Sequence, residues 1–290
     1  MSPGFHERLR AAPRLGVGIS CEFDAGQRSA NIDAVELRTQ HPELVHFLEI
    51  GSDVRRGADP HMLRWAETGW PCTYHFLDIN LSERQDLDAQ WIERTLALVD
   101  QLGAAWLCGD AGYWHFARRE RGHDILLPPV LCAEAAEEMA DTLRELVQRT
   151  DRLILPENPP SAAYVGPLHL LDFYARVVER ADCGMLLDCA HLAIFQRMRG
   201  HQPLDGLDDF PLDRVVEIHV AGGRPTQTDG FNWIEDDHCP EPLPETWAIV
   251  EALVARAPNL RAVVYECEHN LEEEVLPTFQ RLNALFGPPR

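Results

Sequence analysis

The chain runs to 290 residues with 45% hydrophobic content and a formal net charge of −21, which is enough apolar material for one large core. That charge argues against nucleic acid as a partner, since phosphate binding is driven by basic side chains displacing counterions, and it favours cationic partners, metal ions included. The apolar runs are short and broken by charges, so neither a secretion signal nor a membrane span is expected, and eight cysteines without a CxxC pair fit reduced thiols in the cytoplasm.

Along the chain, apolar runs rich in Val, Ile and Leu alternate with stretches of helical period. The run "LGVGISCEF" precedes "NIDAVELRTQ", "VHFLEIG" precedes "ADPHMLRWAE", and "PCTYHFL" precedes "DAQWIERTLALVDQLG". "AAWLCGD" is followed by "CAEAAEEMADTLRELVQRT", and "RLILPEN" by "PLHLLDFYARVVERA". "CGMLLDCAH" leads into the short "LAIFQRMRG" and a loop rich in Pro, Gly and Asp, which makes the sixth unit the weakest. "RVVEIHVAG" precedes "ETWAIVEALVARAP", and "RAVVYECE" precedes "LEEEVLPTFQRLNALFG", whose acidic start is a solvated helix terminus. Eight strand-then-helix units predict one α/β domain, a single (β/α)8 TIM barrel with its core over about residues 14–288. A doubly wound sheet would need a Gly-rich phosphate turn after the first strand, and there is none. Trp65, Trp91 and Trp247 fall at helical spacing and belong to the core, whereas Tyr113 and Trp114, just past a strand tip, are placed to wall a pocket.

In such a barrel the carboxyl ends of the strands converge on one rim, where catalytic groups are normally found. The runs end in Glu49, His75, Asp110, Glu157 with Asn158, Asp188 with His191, His219, and Glu266 with Glu268. A loop after the seventh strand adds Asp236, Asp237 and His238. A packed ring of carboxylates and imidazoles without a lysine repels itself unless members are protonated or cations hold it together. Oxygen and imidazole donors without thiolate suit Fe(II), Mn(II) or Zn(II) in an open site, and the number of donors suggests more than one ion. Glu157, near the middle of the ring, is the expected bridge. Taken singly, each carboxylate serves equally well as a helix cap, and a lone strand histidine as a core residue; the joint occurrence carries the metal reading. His6, His41, His46, His61, His169, His201 and His269 lie outside strand tips and are expected at the surface.

The segments "YHFLDINLS", "LPENPPSAAYV", "CGMLLDCAHL", "VVEIHVAGG", "DDH" and "YECE" resemble, in order and spacing, the motifs of the multinuclear non-haem iron-dependent oxidative enzymes, the family named for the methanobactin-biosynthesis iron enzyme. The resemblance runs from Gly16 to Glu268 and marks a divergent member. It implies a xylose-isomerase-like TIM barrel holding two or three irons as an Fe(II)/Fe(III) set, with O2 as co-substrate. It further implies a ribosomally synthesised precursor peptide as substrate, often modified at Cys, and a small partner protein that presents the peptide. No nucleic-acid or membrane partner is implied. Carried over by position, Glu157, Asp188, His219 and Glu266 hold one iron and form the catalytic set, and Glu157 also reaches a second iron together with His75. Asp236 and His238 bind a further iron with the sixth strand tip, where this chain has Ala190 and His191 in place of the family's usual pair of asparagines. At the fourth strand the family's Ser-Asp-His-Leu reads "GDAG", so Ala111 replaces an imidazole, the nearest other one being His115. That departure favours two irons over three.

Two other functions use the same residues. One is a redox-neutral Mn or Zn sugar isomerase, epimerase or hydrolase on the same barrel, for which no strand-end lysine is present to polarise a sugar carbonyl. The other is a non-catalytic peptide-binding subunit with a decayed site, motivated by Ala111.

Overall fold

The structure, a computed structural model, describes residues 3–24, 27–28, 31–116 and 125–288. The apolar runs form strands β1 (Gly16–Asp24), β3 (Phe47–Ser52), β4 (Cys72–Phe76), β5 (Leu107–Asp110), β6 (Ile154–Glu157), β7 (Met185–Asp188), β8 (Val215–Thr228) and β10 (Ala262–Glu266). These pair in parallel in that order, and β10 pairs with both β8 and β1, so the ring closes as the eight-stranded barrel expected. Between the strands run helices α2 (Ala34–Gln40), α3 (Pro60–Glu67), α4 (Ala89–Leu102), α5 (Ala133–Thr150), α6 (Leu170–Ala181), α7 (Cys189–Arg199) and α8 (Pro244–Arg256), with α9 (Glu272–Phe286) last. Asp33, Asp59 and Asp88 cap α2, α3 and α4 through their carboxylates, which explains three sharp strand-to-helix entries. Trp65, Trp91 and Trp247 are buried, as their helical spacing predicts.

A short helix, α1 (Phe5–Ala11), was not expected, because seven residues with three charges give little periodicity. Its Phe5 and Leu9 close the amino-terminal end of the barrel against Leu15, Phe47, Trp106, Leu155, Leu186 and Val264. Gly18 is fixed by that packing, since a Cβ there would lie 2.5 Å from the Phe47 ring. Alternate strand residues above this plug share its inward direction, so Cys108 leads to Asp110, Leu155 to Glu157, Leu186 to Asp188 and Val264 to Glu266. The period of two therefore raises an apolar floor and sets a polar layer on top of it.

Three local readings are corrected. The segment holding Asp236 and His238 is not a loop: β8 continues to Thr228 and folds back as the antiparallel β9 (Phe231–Cys239). The Asp-Gly pair at 229–230, both residues with positive φ, makes that hairpin turn. His191 is not on a strand tip, because α7 begins directly at Cys189 with Asp188 as its N-cap. His46, expected at the surface, is 7% exposed, and its Nδ1 accepts the Val17 N–H at 3.1 Å. A two-residue strand, β2 (Gln27–Arg28), pairs with the end of β1. Among the described residues, no helix is long and apolar enough to cross a membrane.

Candidate metal centre

At the carboxyl ends of the strands a cavity of about 160 Å³ is lined by Glu49, His75, Asp110, Glu157, His191, Asp236, His238, Glu266 and the indole of Trp114. Asp188 and His219 sit beneath it, both fully buried. All eight side chains expected to hold metal thus converge on one place: His75, Glu157, Asp188, His191, His219, Asp236, His238 and Glu266. Asp237 does not join them, since it faces Arg224 at 2.5 Å.

Three imidazoles share a common arrangement. His219 turns Nε2 to Glu49 at 3.1 Å and leaves Nδ1 at 3.2 Å from both Glu157 and Glu266. That Nδ1 makes no directed hydrogen bond to either carboxylate; it points between them. His191 donates Nδ1–H to the Asn158 carbonyl at 2.8 Å, which leaves Nε2 facing Asp236 at 3.0 Å. His238 puts Nδ1 3.1 Å from Glu268 and aims Nε2 between Asp236 and Glu266, each 3.8 Å away. Anchoring one ring nitrogen fixes the tautomer and presents the other as a lone pair, the usual support for a metal-binding histidine. Glu157 divides its oxygens, with Oε2 2.8 Å from His75 Nε2 and Oε1 3.2 Å from His219 Nδ1.

The backbone explains the placement. Asn158 holds Asp188 in register by accepting its N–H at 2.9 Å and donating to its carbonyl at 3.1 Å. The first turn of α7 then carries His191 over Asp188, whose Oδ1 caps the His191 N–H. In the hairpin, Gly222 pairs with Cys239 and Gly223 with Asp236, so β9 carries a bulge. The bulge includes His238 in the left-handed region at φ 50°, and it turns Asp236 and His238 together toward the cavity. Gly222 permits the close approach, because a Cβ there would meet the Cys239 carbonyl at 2.1 Å.

The electrostatics are those of anions lacking cations. Burial opposes charging of His75, yet the Glu157 hydrogen bond and the surrounding carboxylates push it up to about 10. His191, His219 and His238 are likewise driven well upward against burial, by Asp188, by Glu49 and by Glu266 respectively. Burial raises Asp188 to about 7, and burial with Glu157 repulsion raises Asp110 well above the carboxylate range. Although burial works against it, the His219 and His238 charges hold Glu266 down at about 2, and His219 with His75 lowers Glu157 further. In the absence of bound cations the carboxylates thus drive the imidazoles toward their charged forms.

The donors present fit metal ions. Glu49 Oε1, Asp110 Oδ1, Asp188 Oδ2, Asp236 Oδ1, Glu266 Oε2 and His219 Nδ1 are buried without a hydrogen-bond partner, all in one region. Each such atom costs about 1–3 kcal/mol when left unmatched, so six together mark a place built for ligands that accept lone pairs. Donor atoms of Glu49, His219 and Glu266, of His75, Asp110 and Glu157, and of Glu157, Asp188 and His191 each lie within 4.8 Å of one another.

Two features were only partly legible beforehand. Asp110 belongs to the cluster, whereas His115 does not: it is 3% exposed, bound through Nε2 to Asp86 at 2.9 Å, and fixed in a network with Asn80. Beneath His219, Glu49 meets the Cys108 thiol at 3.2 Å, and Glu217 accepts the Trp106 indole N–H at 2.7 Å. Strand alternation in "VVEIHV" sets Glu217 on the face of His219, a signal that counting strand tips passes over.

Comparison with known proteins fits this geometry. Over 93% of its length the chain superposes on 99% of endonuclease IV from Thermus thermophilus, with a TM-score of 0.54 and 15% identity. A D-psicose 3-epimerase in the presence of D-fructose gives a TM-score of 0.58 at 13% identity, covering 94% of this chain and 99% of that one. Likeness at that identity speaks to the fold alone, and the neighbours include xylose-isomerase-like TIM barrels. A UPF0276 protein of Rhizorhabdus wittichii is 26% identical over 219 residues, covering 74% of this chain and 77% of the relative. The family described as "RiPP precursor modification enzyme MbnB/TglH/ChrH" matches residues 25–284, and the chain belongs to that family.

Proposed function

We propose that the protein is an iron-dependent enzyme that uses dioxygen to oxidise a residue, often Cys in the family it resembles, of a ribosomally made precursor peptide. The observation that carries the reading is the coincidence of a family match over residues 25–284 with a buried cluster of inward-facing, unpartnered donor atoms. Glu157, Asp188, His219 and Glu266 would hold one iron, and His191, Asp236 and His238 another. The split orientation of the Glu157 oxygens supports a bridging role toward His75. Bound iron would supply Lewis acidity toward a substrate thiol, amide or carboxylate, together with electrons for dioxygen.

The protein's own part follows from its geometry. Glu49, the Asn158 carbonyl and Glu268 hold three imidazoles in fixed tautomers and orientations. A cavity of about 160 Å³ admits a side chain, so the rest of a peptide would lie across the rim. Trp114 walls that entrance, while Tyr113 pairs with Leu127. The net charge of −21 favours a basic leader segment or a basic presenting partner protein. Eight free cysteines support a reducing compartment, the cytoplasm. The sugar-isomerase alternative has only fold likeness behind it, and the chain contains no lysine to polarise a carbonyl.

The test is iron-loaded protein incubated with candidate precursor peptides in air and under argon, read by mass spectrometry. An oxygen-dependent mass change in the peptide is expected. Equal turnover of a sugar without oxygen would contradict the proposal.

A further inference from the structure

The ends of β4, β5 and β6 bring His75, Asp110 and Glu157 to one wall of the cavity, each with a donor atom inside 4.8 Å of the others. We infer that Asp110 is a direct ligand, with His75 and Glu157, of a third ion, one that Glu157 shares with the centre around His219. The inference rests on the metal reading proposed above and extends it to a residue that the ligand sets there leave out.

Four observations carry it. Asp110 is 6% exposed, lines the cavity, and leaves Oδ1 without a hydrogen-bond partner. Its Oδ2 lies 4.0 Å from His75 Nε2, too far for a hydrogen bond, while Glu157 Oε2 lies 2.8 Å from the same nitrogen. Two ligands each about 2.1 Å from one ion are separated by roughly 3.0 Å when adjacent and 4.2 Å when opposite, so these spacings suit one shared ion after small adjustment. The imidazole of the resembled motif is absent at residue 111, and the nearest other imidazole, His115, is committed elsewhere. Ala111 is buried in the layer between strands and helices, and its carbonyl accepts from Tyr174 Oη at 3.3 Å. His115 is held by Asp86.

The donor set is one imidazole nitrogen and two carboxylates, with the remaining positions open to the cavity. This oxygen-rich set takes a hard cation, Fe(III), Fe(II) or Mn(II), in preference to copper or a closed structural zinc. Compared with a site of two imidazoles it carries one more negative charge, which favours the higher oxidation state of the ion.

The experiment compares wild-type protein with Asp110→Asn and Asp110→His after anaerobic purification from iron-57 medium, by plasma mass spectrometry and Mössbauer spectroscopy. Asp110→Asn keeps size and shape and removes the charge; it is expected to hold about one ion fewer per chain and to lose one quadrupole doublet. Asp110→His is expected to restore the count with a changed isomer shift, as nitrogen replaces oxygen. Far-UV circular dichroism and melting confirm that each variant is folded, and His75→Gln serves as a second probe of the same ion if Asp110→Asn is unstable. Manganese in place of iron, lost on the same substitution, supports the site and reassigns its ion. An unchanged count and spectrum in Asp110→Asn, or in the His75→Gln probe should the first not fold, overturns the inference while leaving the proposed function standing. A wild-type protein without bound metal overturns the proposed function itself.

Discussion

Replacing Glu49 by Gln tests whether the imidazole of His219 is held for metal binding from below. The carboxylate is fully buried, and its Oε2 lies 3.1 Å from His219 Nε2. A hydrogen bond to a charged group contributes about 1.5–3 kcal/mol net. Outer partners of metal-bound histidines typically change affinity by about 10–100-fold when removed. Glutamine keeps the volume and an acceptor oxygen and loses only the charge, so the expected loss is near the lower end, about tenfold or ~1.4 kcal/mol. The metal-free protein should lose stability as well, because Glu49 is the main partner that supports the buried His219 imidazole in its charged form. Burial and the neighbouring Glu49 push the Glu217 carboxyl up to about 8, so it is largely neutral at pH 7 and little repulsion is relieved by the substitution. Competition against a chelator measures affinity, and melting of the metal-free protein measures stability. Metal affinity within twofold of wild type, or metal-free stability that rises on the substitution, would refute the reasoning.

Glu157→Ala and His219→Ala should each abolish bound metal and activity while leaving a folded barrel; full metal occupancy in either would contradict the assignment. Metal uptake must displace protons from His75, at about 10, and from His191, His219 and His238, all raised. Apparent affinity should therefore increase as pH rises, by up to about tenfold per proton per pH unit, and weakly buffered solutions should acidify on loading. In the metal-free protein, Asp188 at about 7 and His75 at about 10 both have folded pKa values above their unfolded ones. Their stabilisation is present at low pH and is lost as pH rises through those values, so the melting temperature should fall between pH 6 and 10. His115→Ala should cost about 1–3 kcal/mol of stability by removing the buried imidazole bound to Asp86 and leave metal content unchanged. Gly18→Ala should destabilise by about 1–3 kcal/mol through overpacking against Phe47, measured by urea denaturation.

How much the sequence disclosed depends on whether the signal is local. Strand alternation and helical period are local, so the eight-fold repeat and the strand-end ring were readable residue by residue. The β8–β9 hairpin was not, because "DDH" is polar enough to read as loop, and only the bulge with its left-handed His238 gathers Asp236 and His238 at the cavity. Helix α7 starting at Cys189 was obscured because no turn residue separates it from the end of β7 at Asp188. The anchoring of His219 by Glu49 joins residues 170 apart in sequence, and no spacing rule reaches it. Asp110 was visible as a strand end, but its neighbour Ala111 drew attention because the resembled motif has an imidazole there, and the direction of each side chain required the barrel.

The most direct test of the central claim is the metal content of wild-type protein purified anaerobically, with Mössbauer spectra of an iron-57 sample. The account predicts two or more irons per chain, including an Fe(II)/Fe(III) pair. Zinc or manganese alone, retained after iron-replete growth, would contradict it.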